Sequence, residues 1–187
     1  VAVVVHRSAP PFEVRLYVDG TVVLTHPARM GDLDNNSDVL IGRHPFAPAN
    51  SILGIVDELQ FFARALGDNE VKAIYEAGKD GKCRPCAPIP SGLVAWYPLG
   101  EQAGATTVTD VAPPPSSLIS NAGTPTPGPV GSGTGPVPVP GMVGGALYFF
   151  TNHYVTVPHH AELDFGTDSF SIDCWVQTVH CGADLAS

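Results

Sequence analysis

The sequence predicts an all-β sandwich that carries one short helix. Three observations predict it. Glycine and proline supply 20 and 19 of the 187 residues, which suits many short strands joined by turns and not a helical bundle. Several segments alternate apolar and polar residues with a period of two, as half-buried strands do. One segment, Gly67 to Gly78, reads as a helix with a cap at each end.

The anchor of the chain is Leu53 to Gly78, LGIVDELQFFARALGDNEVKAIYEAG. It reads as a strand, a tight corner and the helix. Strict alternation puts Ile55, Asp57, Leu59 and Phe61 on one face, and Val56, Glu58, Gln60 and Phe62 on the other. The first face is apolar except at Asp57, where a carboxylate is costly unless a cation or hydrogen-bond donors satisfy it. Gly67 serves as the helix N-cap, with Asp68 and Glu70 in the first turn, where negative charge suits the dipole. Val71, Ile74 and Tyr75 form an apolar stripe. Leu66 is placed to staple onto Val71, and Gly78 supplies the left-handed stop.

The unbroken valines of Val1 to Val5 read as a strand buried on both faces. Phe12 to Val18 alternates, with Arg15 and Tyr17 on its polar face. Asp19-Gly20 signals a hairpin returning through Thr21 to Thr25. Gly31 to Ser37 is a polar loop, Val39 to Gly42 a short strand, and His44 to Ser51 a second loop. Lys79 to Ser91 is a linker holding Cys83 and Cys86. Strands are expected within Gly92 to Leu99, Gly141 to Phe149, Tyr154 to Pro158 and Asp164 to Gln177. Val111 to Pro140 is rich in Pro, Gly, Ser and Thr, and is expected to lack regular structure.

Composition excludes some functions. The formal net charge is −9, with nine Lys and Arg scattered along the chain, so nucleic acid is not an expected partner. No apolar run approaches the ~20 residues of a membrane-spanning helix. Val1 to Val5 is too short for a signal peptide and lacks its basic flank. With no initial Met, the chain is expected to be processed or a fragment.

Several segments together resemble the laminin G-like domains of the concanavalin A-like jelly-roll superfamily, in the form common in large secreted bacterial proteins. Gly54, Asp57, Glu58, Phe61 and the Arg64-Ala65-Leu66 corner are similar to the closing segment of such a unit, as are LYVDG at Leu16 to Gly20 and the strand at Val39 to Gly42. GLVAWYPL at Gly92 to Leu99, Glu101 to Asp110 and GMVGGALYF at Gly141 to Phe149 resemble its opening. Residues 1–80 thus resemble the second half of a unit and residues 92–187 the first half, joined by the linker 81–91. Either the two halves form one circularly permuted sandwich, or the chain is cut across a tandem pair. Pairing within the chain, or between two chains by strand exchange in a homodimer, is favoured because separate halves would leave long unpaired edges.

The resemblance implies a concanavalin A-like jelly roll and a secreted or cell-surface binding or adhesion module, with a glycan or an extracellular protein as its partner. It also implies a structural calcium ion tying the last long strand to the N-terminal segment of the unit, with Asp57 and Asp110 as side-chain ligands. On Phe170 to Val176, alternation sets Asp173, Trp175 and Gln177 on one face. With Arg15 and Tyr17 they would form a polar-aromatic floor suited to sugars, which stack on aromatics and bond to planar polar groups. Laminarinase-type glycosidases share the fold, but need two carboxylates about 5–5.5 Å apart. The adjacent Asp57 and Glu58 should diverge on a regular strand, so no enzyme is expected. His159-His160 and the other histidines lack ligand spacing. Cys83-x-x-Cys86 in a Pro-rich linker does not suit a thioredoxin-like role; a Cys83–Cys86 disulfide, or one through Cys181, is expected, with Cys174 a buried thiol.

Overall fold

The computed structural model describes residues 1–8, 10–27, 31–47, 51–80, 89–113 and 121–178. Among the described residues the elements are β1 (Ala2–His6), β2 (Glu13–Val18), β3 (Thr21–Pro27), β4 (Val39–Ile41), β5 (Gly54–Phe62), helix α1 (Asp68–Ala77), β6 (Leu93–Tyr97), β7 (Thr124–Thr126), β8 (Val137–Pro140), β9 (Gly145–Phe149), β10 (Tyr154–Val157) and β11 (Phe170–Thr178). Two short 3-10 turns, Gly78–Asp80 and Ala161–Leu163, complete the set. The larger antiparallel sheet runs β3-β2-β1-β11-β5-β9-β8, with β6 also on β5; the smaller runs β4-β10-β7. This is the all-β sandwich with one α-helix.

Strand β5 is the axis of the larger sheet. One of its edges carries β11. The other edge is shared: β6 pairs with Leu59 to Phe62, and β9 with Gly54 to Val56. Asp57 and Glu58 lie at the gap between β6 and β9. The segments that resemble the opening and the closing of a unit therefore pair within one sheet, and β1 lies beside β11 with Val4 opposite Ser171.

The alternation expected for β5 breaks at Glu58. Gln60 lies opposite Asp173 and Asp57 opposite Trp175, so β5 carries one more residue than β11 over this interval. Glu58 absorbs the extra residue with a positive φ of 55°, as the first residue of a G1-type β-bulge does. Val56, rather than Ile55, joins Leu59 and Phe61 in the core between the sheets. Asp57 shares the opposite face with Gln60 and Phe62. Asp57 leaves its predicted face while Glu58 stays on that of Gln60, because a period of two holds only while the ladder is unbroken.

The inter-sheet core joins Tyr97, Leu147 and Phe149 to Ile41, Val155 and Val157 of the smaller sheet. Fully burying such a side chain stabilises by roughly 1.5–3 kcal/mol. On the other face of the larger sheet, Leu66 and Val71 pack over Ala2, Val4, Tyr17 and Phe62. The corner into α1 is pinned by a buried serine: Ser171 Oγ accepts Leu66 N–H at 2.8 Å and donates to Arg64 O at 2.9 Å. Arg64 grips Glu70 through both terminal nitrogens, at 2.8 and 2.6 Å. Glu70 in turn accepts Gly67 N–H at 2.9 Å, satisfying one helix N-terminal donor.

Two expectations about irregular segments change. Thr124–Thr126 and Val137–Pro140, both assigned to the structureless stretch, are strands paired with β10 and β9. Pro136, Pro138 and Pro140 alternate with Val137 and Val139, so every missing N–H falls on the same side. β8 ends the sheet, which leaves that side unpaired and makes an edge strand compatible with prolines. Conversely, Gly141 to Gly144, read as strand, is the turn into β9, closed by Gly141 N–H to Gly144 O at 3.0 Å. The Asp19-Gly20 hairpin matches expectation, with φ of 50° and 70°, the left-handed pair of a type I′ turn.

Candidate functional site

A groove of about 280 Å³ opens on the face of the larger sheet away from the inter-sheet core, lined by Ile55, Asp57, Pro140, Met142, Trp175 and Gln177, with Gly141 and Val176. Register builds its floor: Trp175 lies opposite Asp57, and Gln177 opposite Ile55. The β8–β9 turn builds its wall.

The turn is held by Asp57. Its Oδ2 accepts the backbone N–H of Val143 at 2.9 Å, and the nearby N–H groups of Met142 and Glu58 also favour the ionised carboxylate. A Cβ on Gly141 would lie 2.5 Å from Oδ2 and 2.9 Å from the Ala146 Cβ, so only glycine fits beneath the carboxylate. Asp57 is 1% exposed. Burial pushes its carboxyl pKa above the ordinary value, and the Val143, Met142 and Glu58 donors pull it part of the way back. Its Oδ1 is buried without a hydrogen-bond partner.

Glu58 turns to the same face as its neighbour. Its Oε2 accepts Trp96 Nε1–H at 2.8 Å and lies 3.5 Å from Gln60 Nε2. The expected divergence of Asp57 and Glu58 is thus corrected by the bulge. Both carboxylates are nonetheless engaged by protein donors, Asp57 by the turn and Glu58 by the indole.

The five residues expected to form one floor share a face but not one site. Trp175 and Gln177 line the groove. Asp173 is buried, 5% exposed, and borders a separate small hollow with Tyr17, Tyr75 and Trp175. Tyr17 is 1% exposed and spends its hydroxyl on Asp68 of α1, at 2.6 Å; burial first, then Asp68, raises its pKa. Arg15 bonds Glu13 and Asp68 at 2.7 and 2.8 Å. Helix α1 therefore claims Arg15 and Tyr17, and the floor is corrected to its Trp175–Gln177 end. The cause is the apolar stripe of α1, which packs on this face through Val71 and Ile74. Tyr75 meets Trp175 with ring centroids 5.7 Å apart.

Asp110 accepts Trp96 N–H at 2.8 Å and Ala112 N–H at 2.9 Å on Oδ1, and Asn121 Nδ2–H at 3.0 Å on Oδ2. Asp57 and Asp110 thus answer to different groups, and N–H donors already occupy Asp57 Oδ2 and both oxygens of Asp110. A calcium ion takes about six to eight oxygens, whereas this pair offers one unpartnered oxygen, Asp57 Oδ1. The arrangement does not fit a shared calcium ion. Among the described residues no group of three or more His, Cys, Asp or Glu is placed to hold a metal. His159 Nε2 instead sits 2.8 Å from Asp164 Oδ2. Cys174 is a free, partly exposed thiol, pushed up to about 11 chiefly by burial. Cys83, Cys86 and Cys181 lie outside the described residues.

Pro140 and Met142 were not singled out from the sequence, because their segment reads as loop and strand. The Gly141-x-x-Gly144 spacing is the signal that marks the turn.

Two antiparallel sheets with a single short helix among the described residues are consistent with a concanavalin A-like jelly-roll sandwich. A laminin G family model, described as the concanavalin A-like lectin/glucanases superfamily, matches residues 1–72, the stretch from β1 into α1. No curated protein and no solved structure matches the chain. No described helix is long and apolar enough to cross a membrane.

Proposed function

We propose that this chain is a non-catalytic, extracellular glycan-binding module whose ligand lies in the groove beside Trp175. The observation that carries the reading is the composition of that groove. A broad aromatic, Trp175, stands beside a planar amide, Gln177, with Met142 and Pro140 forming an apolar wall. A sugar ring presents an apolar face for the indole and hydroxyls for the amide and for backbone groups. The superfamily match over residues 1–72 supports a lectin-like role, and laminin G-like domains are typically extracellular. The non-catalytic reading is supported by the engagement of Asp57 and Glu58 with structural donors, which leaves no free carboxylate pair for glycoside hydrolysis.

The test is binding to a panel of neutral oligosaccharides by the parent and by Trp175→Ala, with both confirmed as folded. The reading predicts micromolar to millimolar binding to one member at least, lost in Trp175→Ala. Equal binding by the variant, or no binding across the panel, would overturn it.

A further inference from the structure

We propose that the groove sorts sugars by charge, favouring glycans that carry a cationic amine over neutral ones and rejecting sulfated or uronate sugars. This rests on the glycan reading above and names the charge class of its ligand.

Among the described residues, Asp57 is the one charged side chain lining the groove; the others are Ile55, Pro140, Gly141, Met142, Trp175, Val176 and Gln177. Its carboxylate is nine-tenths buried and more, its Oδ2 is held by Val143 N–H, and its Oδ1 has no partner. Backbone N–H dipoles steady such a charge without cancelling it. Ile55, Met142 and Pro140 set apolar surface beside it, so the field in the groove is screened less than at an open surface. Among the described residues no Lys, Arg or His lines the groove to receive a sulfate or a carboxylate. Trp175 adds to the same preference, because an indole face attracts a cation.

The experiment uses one oligosaccharide backbone in three charge states: glucosamine oligomers that are N-trimethylated, N-acetylated or N-sulfated. Affinities are measured at neutral pH and low salt. The expected order is cationic, neutral, anionic, with steps of about tenfold that shrink as salt rises. Asp57→Asn keeps an oxygen for Val143 N–H, removes the charge and puts an amide NH2 in place of Oδ1, so the three affinities should converge. Because the chain's net charge of −9 falls by just one, convergence would assign the preference to the groove and not to the surface. Should Asp57→Asn fail to fold, Gln177→Glu adds a second charge without touching the turn and should widen the steps. If the neutral oligomer binds and charge makes no difference, or the size of the steps is unchanged in Asp57→Asn or in Gln177→Glu, the inference is wrong and the glycan reading stands. If no oligomer binds and the neutral panel also fails, both fall.

Discussion

The carboxylate of Asp57 accepts the backbone N–H of Val143 at 2.9 Å, across 86 residues of chain. The bond fastens the β8–β9 turn to the central strand at the gap between β6 and β9, and so sets the wall of the groove. Asp57→Ala should cost about 1–3 kcal/mol in urea unfolding, the usual consequence of leaving buried donors unmatched. A variant as stable as the parent would show that the turn holds itself.

Asp57→Asn isolates the charge from the hydrogen bond. Burial raises the Asp57 pKa, so folding disfavours the anion, and the ionised group lowers stability at pH above its unfolded pKa. That penalty fades as pH falls through the raised, folded pKa. Asp57→Asn should therefore gain on the parent most at neutral pH, and the gap should close on acidification. Unfolding curves across pH would show this; a gap that widened in acid would reverse the assignment.

Much of the fold was legible in the sequence, and the misses share a cause. The Asp19-Gly20 hairpin, the caps of α1 and the Val71–Ile74–Tyr75 stripe are local signals, and all appear in the structure. The face of Asp57 was misread because the bulge at Glu58 is imposed by pairing with β11, distant in sequence. The strand Val137–Pro140 was missed because prolines forbid only one edge, and the sequence does not say which edge is free. Trp175 and Gln177 were readable as groove residues from their shared face. Arg15 and Tyr17 lie on that face too, but the packing of α1 over them is a tertiary event.

The claim that Tyr17 serves α1 rather than the ligand has its own test. Tyr17→Phe removes the 2.6 Å bond to Asp68 and should cost about 1 kcal/mol of stability. Glycan affinity by calorimetry should be unchanged. A loss of affinity at unchanged stability would restore Tyr17 to the floor.

Gly141 should tolerate no side chain. Its Cβ would meet Asp57 Oδ2 and Ala146 Cβ, so Gly141→Ala should destabilise by about 1–3 kcal/mol, the range for overpacking a filled site. A melt matching that of the parent would mean that the turn can retreat from β5.

Glu70 predicts the acid limb of stability. Arg64, first of its causes, holds its carboxyl down at about 2 from an ordinary 4.5. A depressed pKa contributes stability above the unfolded value, lost as pH falls from that value towards the folded one. Both side chains are about a third exposed, so solvent screening limits the contribution to roughly 0.2–1 kcal/mol. Glu70→Gln should be less stable than the parent at neutral pH, and the two should converge near the acid end of that window. Parallel curves throughout would remove the pair from the account.

The central claim is that ligand lies on Trp175, and the chain's two tryptophans supply an internal control. Trp175 lines the groove, while the Trp96 indole N–H is tied to Glu58 at 2.8 Å. The direct measurement is a nuclear magnetic resonance titration of the two indole N–H signals with a neutral oligosaccharide that binds, assigned through Trp175→Phe. The account predicts a saturable shift of the Trp175 signal, with Trp96 nearly still. A saturating ligand that moves Trp96 alone, or neither signal, would contradict it.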